Sequence, residues 1–338
     1  MCLKIFLCST ILIGIFGGNL NCKRDKNICI ETTFYYWRTT FKLDSIEKDA
    51  LKKLGSKSLY IRFFDVDLDI NGLPFPVSEI GFKQTPEMEI IPVVFIKNKV
   101  FDGITPEENL SLSKNIIQKI LSIAKNNSIK LKEIQIDCDW TVSSKQQYFA
   151  FLENVKAQLE TQNVRLSATI RLHQVKYKAS TGIPPVNKGV LMAYNIDRLD
   201  DPTIKNSIFD KSIIYKYLDK LSTYPLQLEV ALPIFSQNII FRNDKIVGIL
   251  RKELFFKDVD MNYFDKVGNL LLCKKDTMIA EYSVKVGDMI RIETILNEDL
   301  NEIYEYISKN LPNNHFKLIL FDLSASNLKL INYENIKE

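Results

Sequence analysis

Residues 133–160 read EIQIDCDWTVSSKQQYFAFLENVKAQLE, a strand pattern that passes through a short polar turn into a helix pattern. From Glu133 to Asp139 the side chains alternate with period two, as they do along a β-strand. Ser143 and Ser144 then supply a helix start, and Lys145 to Glu160 continue as the helix. Alternation puts Gln135, Asp137, Asp139 and Thr141 on one face of the strand. Ile134, Ile136, Cys138 and Trp140 take the other.

The same strand-then-helix unit repeats outward in both directions. Upstream, strands are expected at Thr32–Trp37, Ser58–Phe64 and Ile90–Ile96, with helices at Leu43–Leu54 and Pro106–Asn126. The second helix carries Ile116, Ile117, Ile120, Leu121 and Ala124 on one face at helical spacing, a stripe suited to packing on a barrel. Downstream, strands are expected at Arg165–Leu172, Gly189–Tyr194, Leu226–Pro233 and Phe316–Asp322, and helices at Ile208–Ser222 and Asn301–Leu311. In the Phe63-Phe64 pair, strict alternation would turn one ring inward and the other toward the helices.

Strands separated by helices pair in parallel, and eight of them can close on themselves and leave no edge. The expected fold is therefore α/β, a (β/α)8 TIM-like barrel. The rival, an open doubly wound sheet, would call for a Gly-x-Gly-x-x-Gly or Walker sequence, and neither is present. Residues 236–295 break the alternation. A hairpin at 238–252 turns at Asn243-Asp244, and two β-like runs follow within 269–294, around Gly287-Asp288. We read this as a β-rich insertion between strands seven and eight of one barrel domain spanning 30–330.

The chain's 338 residues, 46% of them hydrophobic, suffice for so large a core. A formal charge of +4, from 45 basic and 41 acidic side chains mixed along the chain, gives no concentrated basic face, so no nucleic-acid partner is expected. Residues 1–22 have the pattern of a signal peptide: Lys4, an apolar run from Ile5 to Gly18, then Leu20-Asn21-Cys22 before a charged segment. Cys22 suits the lipidated first residue of an exported lipoprotein at the cell envelope, with a lipid anchor in the membrane, although Leu20 and Asn21 stand where smaller residues are usual. Ordinary cleavage, or an uncleaved anchor, is the alternative. Cys29, Cys138 and Cys273 are too widely spaced for a metal cluster, and two histidines cannot build a multi-histidine centre. No calcium-loop signature occurs, and no metal or cofactor is expected.

In such a barrel, the C-terminal ends of the strands converge on one face. Asp137 and Asp139 lie two residues apart at the end of the fourth strand. Such carboxylates must be solvated, hydrogen-bonded, paired with a base or held as an acid–base couple. Arg62 and Arg171 are the available cations, and the plainest role for all four is to anchor neighbouring strands. Other strand ends add Tyr36 and Arg38, Asp65 and Asp67, His173, Tyr194, Asn195 and Asp322. Glu229 alternates with Gln227 and Ala231, which directs it into the barrel. Carboxylates converging with aromatic rings suit a sugar site, where a carboxyl pair brackets the glycosidic bond.

Residues 134–141 (IQIDCDWT) resemble the fourth-strand signature of family 18 glycoside hydrolases, Asp-x-x-Asp-x-Asp-x-Glu with an aromatic before the Glu. Asp137 and Asp139 match its second and third acidic positions, and Trp140 the aromatic. Leu191-Met192-Ala193-Tyr194-Asn195 and Leu232-Pro233-Ile234-Phe235 are similar to the family's sixth- and seventh-strand motifs. The resemblance implies a barrel acting on or binding polysaccharide, with Tyr194 positioning the sugar. It departs where chemistry matters: Ile134 replaces the first Asp, Thr141 the proton-donating Glu and Asn195 an Asp. A threonine hydroxyl is far too weak an acid to protonate a leaving group. The expected acid is then Asp139 or Glu229, tuned by Asp137, with Arg62 holding the carboxylates ionised. Tyr36, Asp65, Trp140, Arg171 and Asn195 join the candidate binding residues. The alternative is a non-catalytic envelope scaffold or carbohydrate-binding protein.

Overall fold

The computed structural model describes residues 28–251 and 259–336. Eight strands run parallel: β1 (Ile28–Tyr36), β2 (Ser58–Leu68), β3 (Glu89–Ile96), β4 (Glu133–Asp137), β5 (Arg165–Arg171), β6 (Lys188–Met192), β7 (Leu228–Pro233) and β8 (His315–Phe321). Each pairs with the next, β8 pairs back to β1, and Tyr35 and Tyr36 opposite Tyr60 and Ile61 close the ring. This is the (β/α)8 barrel read from the alternation. The expected signal peptide and Cys22 lie outside the described residues. Among those described, no helix is long and apolar enough to cross a membrane.

The helices begin where their caps dictate. For α1 (Ser45–Lys53), the Asp44 carboxylate accepts from the Glu47 amide while Glu47 reaches back to the Asp44 N–H, so the helix starts two residues after Leu43. For α2 (Pro106–Asn126), Thr105 and Glu108 form the same box with Pro106 in the first turn, and the bounds match the expectation. α3 (Lys145–Glu160) follows β4, and the short α4 (Leu172–Lys176) follows β5. α5 spans only Lys211–Leu218, because Asp210 caps it and a 3-10 turn at Leu221–Thr223 replaces its last expected turn. α6 (Asn297–Asn310) starts four residues earlier than the apolar periodicity suggests, through a polar first turn carrying Glu298 and Asp299.

Packing between barrel and helices is tight enough to test. A Cβ added at Gly189 would lie 2.7 Å from Ile170 Cγ1 and 2.8 Å from Leu228 Cδ2. Gly189→Ala is expected to cost about 1–3 kcal/mol. A urea midpoint unchanged from the wild type would show that the neighbours move aside freely.

The Phe63-Phe64 expectation fails. The register between β2 and β3 slips here, with Arg62 opposite Val93 and Phe64 opposite Val94. Both rings consequently join the outer core between strands and helices. A β-bulge of this kind breaks the alternation on one strand only.

Between β7 and β8, strands at Gln237–Arg242, Lys245–Arg251, Phe264–Val267, Leu270–Cys273 and Met289–Glu293 form an antiparallel five-stranded sheet. Its hairpin turns at Asn243 and Asp244, with φ of +50° and +60°, the backbone that Asn and Asp tolerate in a tight hairpin. The sheet is tied to the β6–α5 loop. Arg291 donates to the carbonyls of Asp201 (2.5 Å) and Leu199 (2.9 Å), and Glu293 accepts from the Ser207 amide and hydroxyl, both at 2.9 Å.

Candidate functional site

The barrel interior is layered. Its lowest layer, at the N-terminal ends of the strands, is ionic. Lys188 Nζ lies 3.0 Å from Glu133 and 3.1 Å from Glu229, and Lys317 Nζ lies 2.8 Å from Glu31. The Ser167 hydroxyl donates to Glu133 at 2.7 Å, and the Lys317 amide donates to Glu229. Glu229 does point into the barrel, but it sits at the closed floor. That placement overturns it as an acid at the mouth: β7 begins at Leu228, so Glu229 enters at the bottom of its strand.

Above this floor lies an apolar layer that includes Tyr35, Tyr60, Val93, Val190, Ala231 and Ile319. The Tyr35 hydroxyl donates to Gln135 Oε1 at 2.7 Å. Inward residues of β1 are therefore Thr33, Tyr35 and Trp37, not Tyr36. Tyr36 belongs to the outer core, where its ring meets Phe41 and its hydroxyl donates to the Thr40 carbonyl at 2.6 Å. As a sugar contact Tyr36 is thus corrected to a structural residue.

The top layer contains Trp37, Arg62, Asp65, Asp137, Tyr194, Phe235 and Phe321. Trp37 and Phe321 rings are 5.4 Å apart, Tyr194 and Phe321 5.3 Å, and the Arg62 guanidinium lies 5.7 Å from the Trp37 ring. Asp137 is 6% exposed and accepts from the Thr169 hydroxyl at 2.7 Å. Burial, then the neighbouring Asp139 charge, push its pKa up to about 7. Asp139 stands at the rim, half exposed, with Arg171 Nε 3.3 Å away. Arg171 also donates to the Asn195 carbonyl at 3.2 Å, and Asn195 itself is exposed with φ of +51°. Asp65 meets Arg62 at 3.4 Å, and burial raises its pKa too. Asp67, by contrast, is held well below the usual carboxylate range by Lys97 and Lys99.

Trp140 does not reach this mouth. It is fully buried outside the barrel, stacked on Tyr148 at 5.3 Å, and its indole N–H donates to the Thr181 carbonyl at 3.0 Å. Its role as a binding residue is corrected for the reason the alternation already contains: it shares the outward face of Ile134, Ile136 and Cys138. Thr141 is exposed, with its hydroxyl 2.8 Å from that of Ser143 and its amide donating to Ser144 at 3.0 Å. It serves the entry to α3.

Trp37, Phe321 and Thr169 were not singled out by sequence, and Phe235 only as the last residue of the seventh-strand motif. Trp37 and Phe321 could have been found by carrying strand alternation from known inward neighbours. Phe235 lies beyond its strand, where alternation says nothing.

Two clefts open at the mouth. One, of about 670 Å³, is lined by Trp37, Arg38, Thr40, Lys42 and Arg62. The other, of about 320 Å³, is lined by Trp37, Arg38, Phe235, Gln237, Phe321 and Asp322, and it reaches the inserted sheet at Leu250. A cleft of about 490 Å³ between the 68–74 loop and the start of α2 shares no residue with either. Among the described residues, no three His, Cys, Asp or Glu side chains come together as metal ligands would.

By structure, the chain is similar to the spore cortex-lytic enzyme SleL of Bacillus cereus, with 15% identity, a TM-score of 0.51, and 90% of this chain covering 74% of that one. It is similar as well to a chitinase from Chromobacterium violaceum, at 9% identity and a TM-score of 0.51, covering 91% of this chain and all of that one. A mutant of the GH18 chitinase from Cycas revoluta, in complex with (GlcNAc)4, aligns at 11% identity and a TM-score of 0.52, covering 89% and 98%. The chain shares the (β/α)8 barrel fold of these proteins. No family model and no curated protein matches it by sequence. At these identities the GH18 likeness carries the fold alone.

Proposed function

We propose that this GH18-type barrel binds a polysaccharide chain at its mouth and acts on it, as an exported protein of the cell envelope. One observation carries the reading: a buried carboxyl of raised proton affinity, Asp137, stands beside a cluster of rings formed by Trp37, Tyr194, Phe235 and Phe321. Sugar rings present apolar faces to aromatics and hydroxyls to polar groups. The Tyr194 hydroxyl and Gln135 Nε2 are buried without a hydrogen-bond partner among the described residues, as expected of groups that address a polar ligand. Asp137 then takes the acid's role for which the sequence offered Asp139 or Glu229. A proton donor needs a pKa near the working pH, and burial pushes that of Asp137 up to about 7. The Cys22 segment supports the location.

The second reading, a barrel that binds glycan without cleaving it, is favoured by Thr141, whose hydroxyl meets that of Ser143 where the family has its acid.

Calorimetric titration with (GlcNAc)4 and a panel of envelope polysaccharides tests both readings. Trp37→Ala is expected to weaken binding at least about 10-fold, the equivalent of about 1.4 kcal/mol. Wild-type protein that binds none of the panel would sink the proposal.

A further inference from the structure

The bulge at Phe63 has a consequence at the mouth. Were β2 regular, Arg62 facing inward would leave Asp65 facing the helices. The slipped register instead places Asp65 opposite Phe95, and Phe95 opposite Asp137. Asp65, Phe95 and Asp137 therefore form one lateral row across three adjacent strands, all on the inward parity. Two strand spacings separate the outer members, about 10 Å between Cα atoms. Inward side chains on a closed barrel converge, so the two carboxyls stand nearer than that. Carboxyl pairs that bracket a glycosidic bond fall within that limit.

The two carboxyls differ in their neighbours. Asp65 has Arg62 3.4 Å from its Oδ2, a charge that works toward the carboxylate against the burial that raises its pKa. Its Oδ1 is buried and has no hydrogen-bond partner among the described residues. Asp137 has Asp139 beside it and no cation within ion-pair distance among the described residues, which favours the acid. The Tyr194 hydroxyl, on a residue 1% exposed and likewise unpartnered, feels the Asp137 charge from above β6. The row thus comes with a buried hydroxyl left without a partner beside it.

We propose that Asp65 is the second reacting carboxylate of this site, the base that activates water across the scissile bond from Asp137. This rests on the carbohydrate reading above. Asp137 gives its proton to the glycosidic oxygen, and the bond from that oxygen to the anomeric carbon breaks with its electron pair going to the oxygen. Water adds to the anomeric carbon and passes its proton to Asp65. One water is consumed, and solvent returns the proton from Asp65 to Asp137. A base that activates water on the face opposite the leaving group predicts inversion at the anomeric carbon.

The test uses (GlcNAc)4 and the dinitrophenyl β-glycoside of N-acetylglucosamine, whose leaving group needs no protonation. Asp65→Asn is expected to lose roughly 10²–10⁴-fold in kcat on both. Azide should restore its turnover of the activated substrate as the glycosyl azide, which also shows the variant to be folded. Asp137→Asn should fail on (GlcNAc)4 yet keep the activated substrate. NMR of the first-formed product should show the inverted anomer. Asp65→Asn turning over (GlcNAc)4 like the wild type, or a retained anomer, would overturn the assignment and leave the glycan reading standing. Wild-type protein that binds (GlcNAc)4 and cleaves neither substrate would do the same. Absence of all glycan binding would remove the reading beneath it.

Discussion

Lys188→Met is expected to lower the unfolding free energy by about 3–5 kcal/mol, the usual cost of stripping one partner from a buried ion cluster. Lys188 is the ammonium that holds Glu133 and Glu229 together at the barrel floor, and the three side chains are 8%, 1% and 5% exposed. Methionine fills most of the space but leaves two carboxylates facing each other in a poorly solvated layer. The midpoint of thermal unfolding should fall by roughly 1–2 °C for each kcal/mol in a chain of this size. Urea unfolding at pH 7 measures the loss. A loss under about 1 kcal/mol at pH 7 would mean that the floor is far wetter than its burial indicates. Glu229→Gln should cost stability while sparing glycan binding by the folded protein.

Asp137→Asn carries the largest functional effect and an opposite stability effect. As a proton donor its loss should reduce turnover of (GlcNAc)4 by roughly 10²–10⁴-fold. Wild-type activity should decline as pH rises past about 7, where Asp137 gives up its proton in the free protein. The same shift fixes the sign for stability. The folded pKa of about 7 lies above the ordinary 3.8, so the native state binds the proton more tightly than the unfolded chain. Wild-type stability is then greatest below the ordinary value and is lost as pH climbs from about 4 through 7. Asparagine cannot ionise. The variant should match the wild type near pH 4 and exceed it at pH 8 by up to about 4 kcal/mol, at about 1.4 kcal/mol per pKa unit. Melting curves at the two pH values decide it. A variant less stable at pH 8 would show Asp137 to be ionised and paired in the native protein.

Strand and helix order were legible from residues 133–160 outward because period two and period 3.6 are local properties of the chain. The alternation at β4 also put Asp137 and Trp140 on opposite faces, and the structure keeps them there. The turn at Asn243-Asp244 was legible for a comparable reason: those residues accept positive φ. In contrast, TTFYYW is apolar on both parities, since a barrel strand is buried on both sides. Its sequence could not say whether Tyr35 or Tyr36 faces inward.

What the sequence by itself determined, then, is the eightfold alternation, the place of the insertion and the parity of the fourth strand, all carried by contacts a few residues apart. Tertiary structure alone decided three things: the height of Glu229 in the barrel, the ring of aromatics at the mouth, and the row from Asp65 to Asp137. Height and row depend on the stagger between neighbouring strands and on a single bulge at Phe63, and stagger is settled only when all eight strands close together.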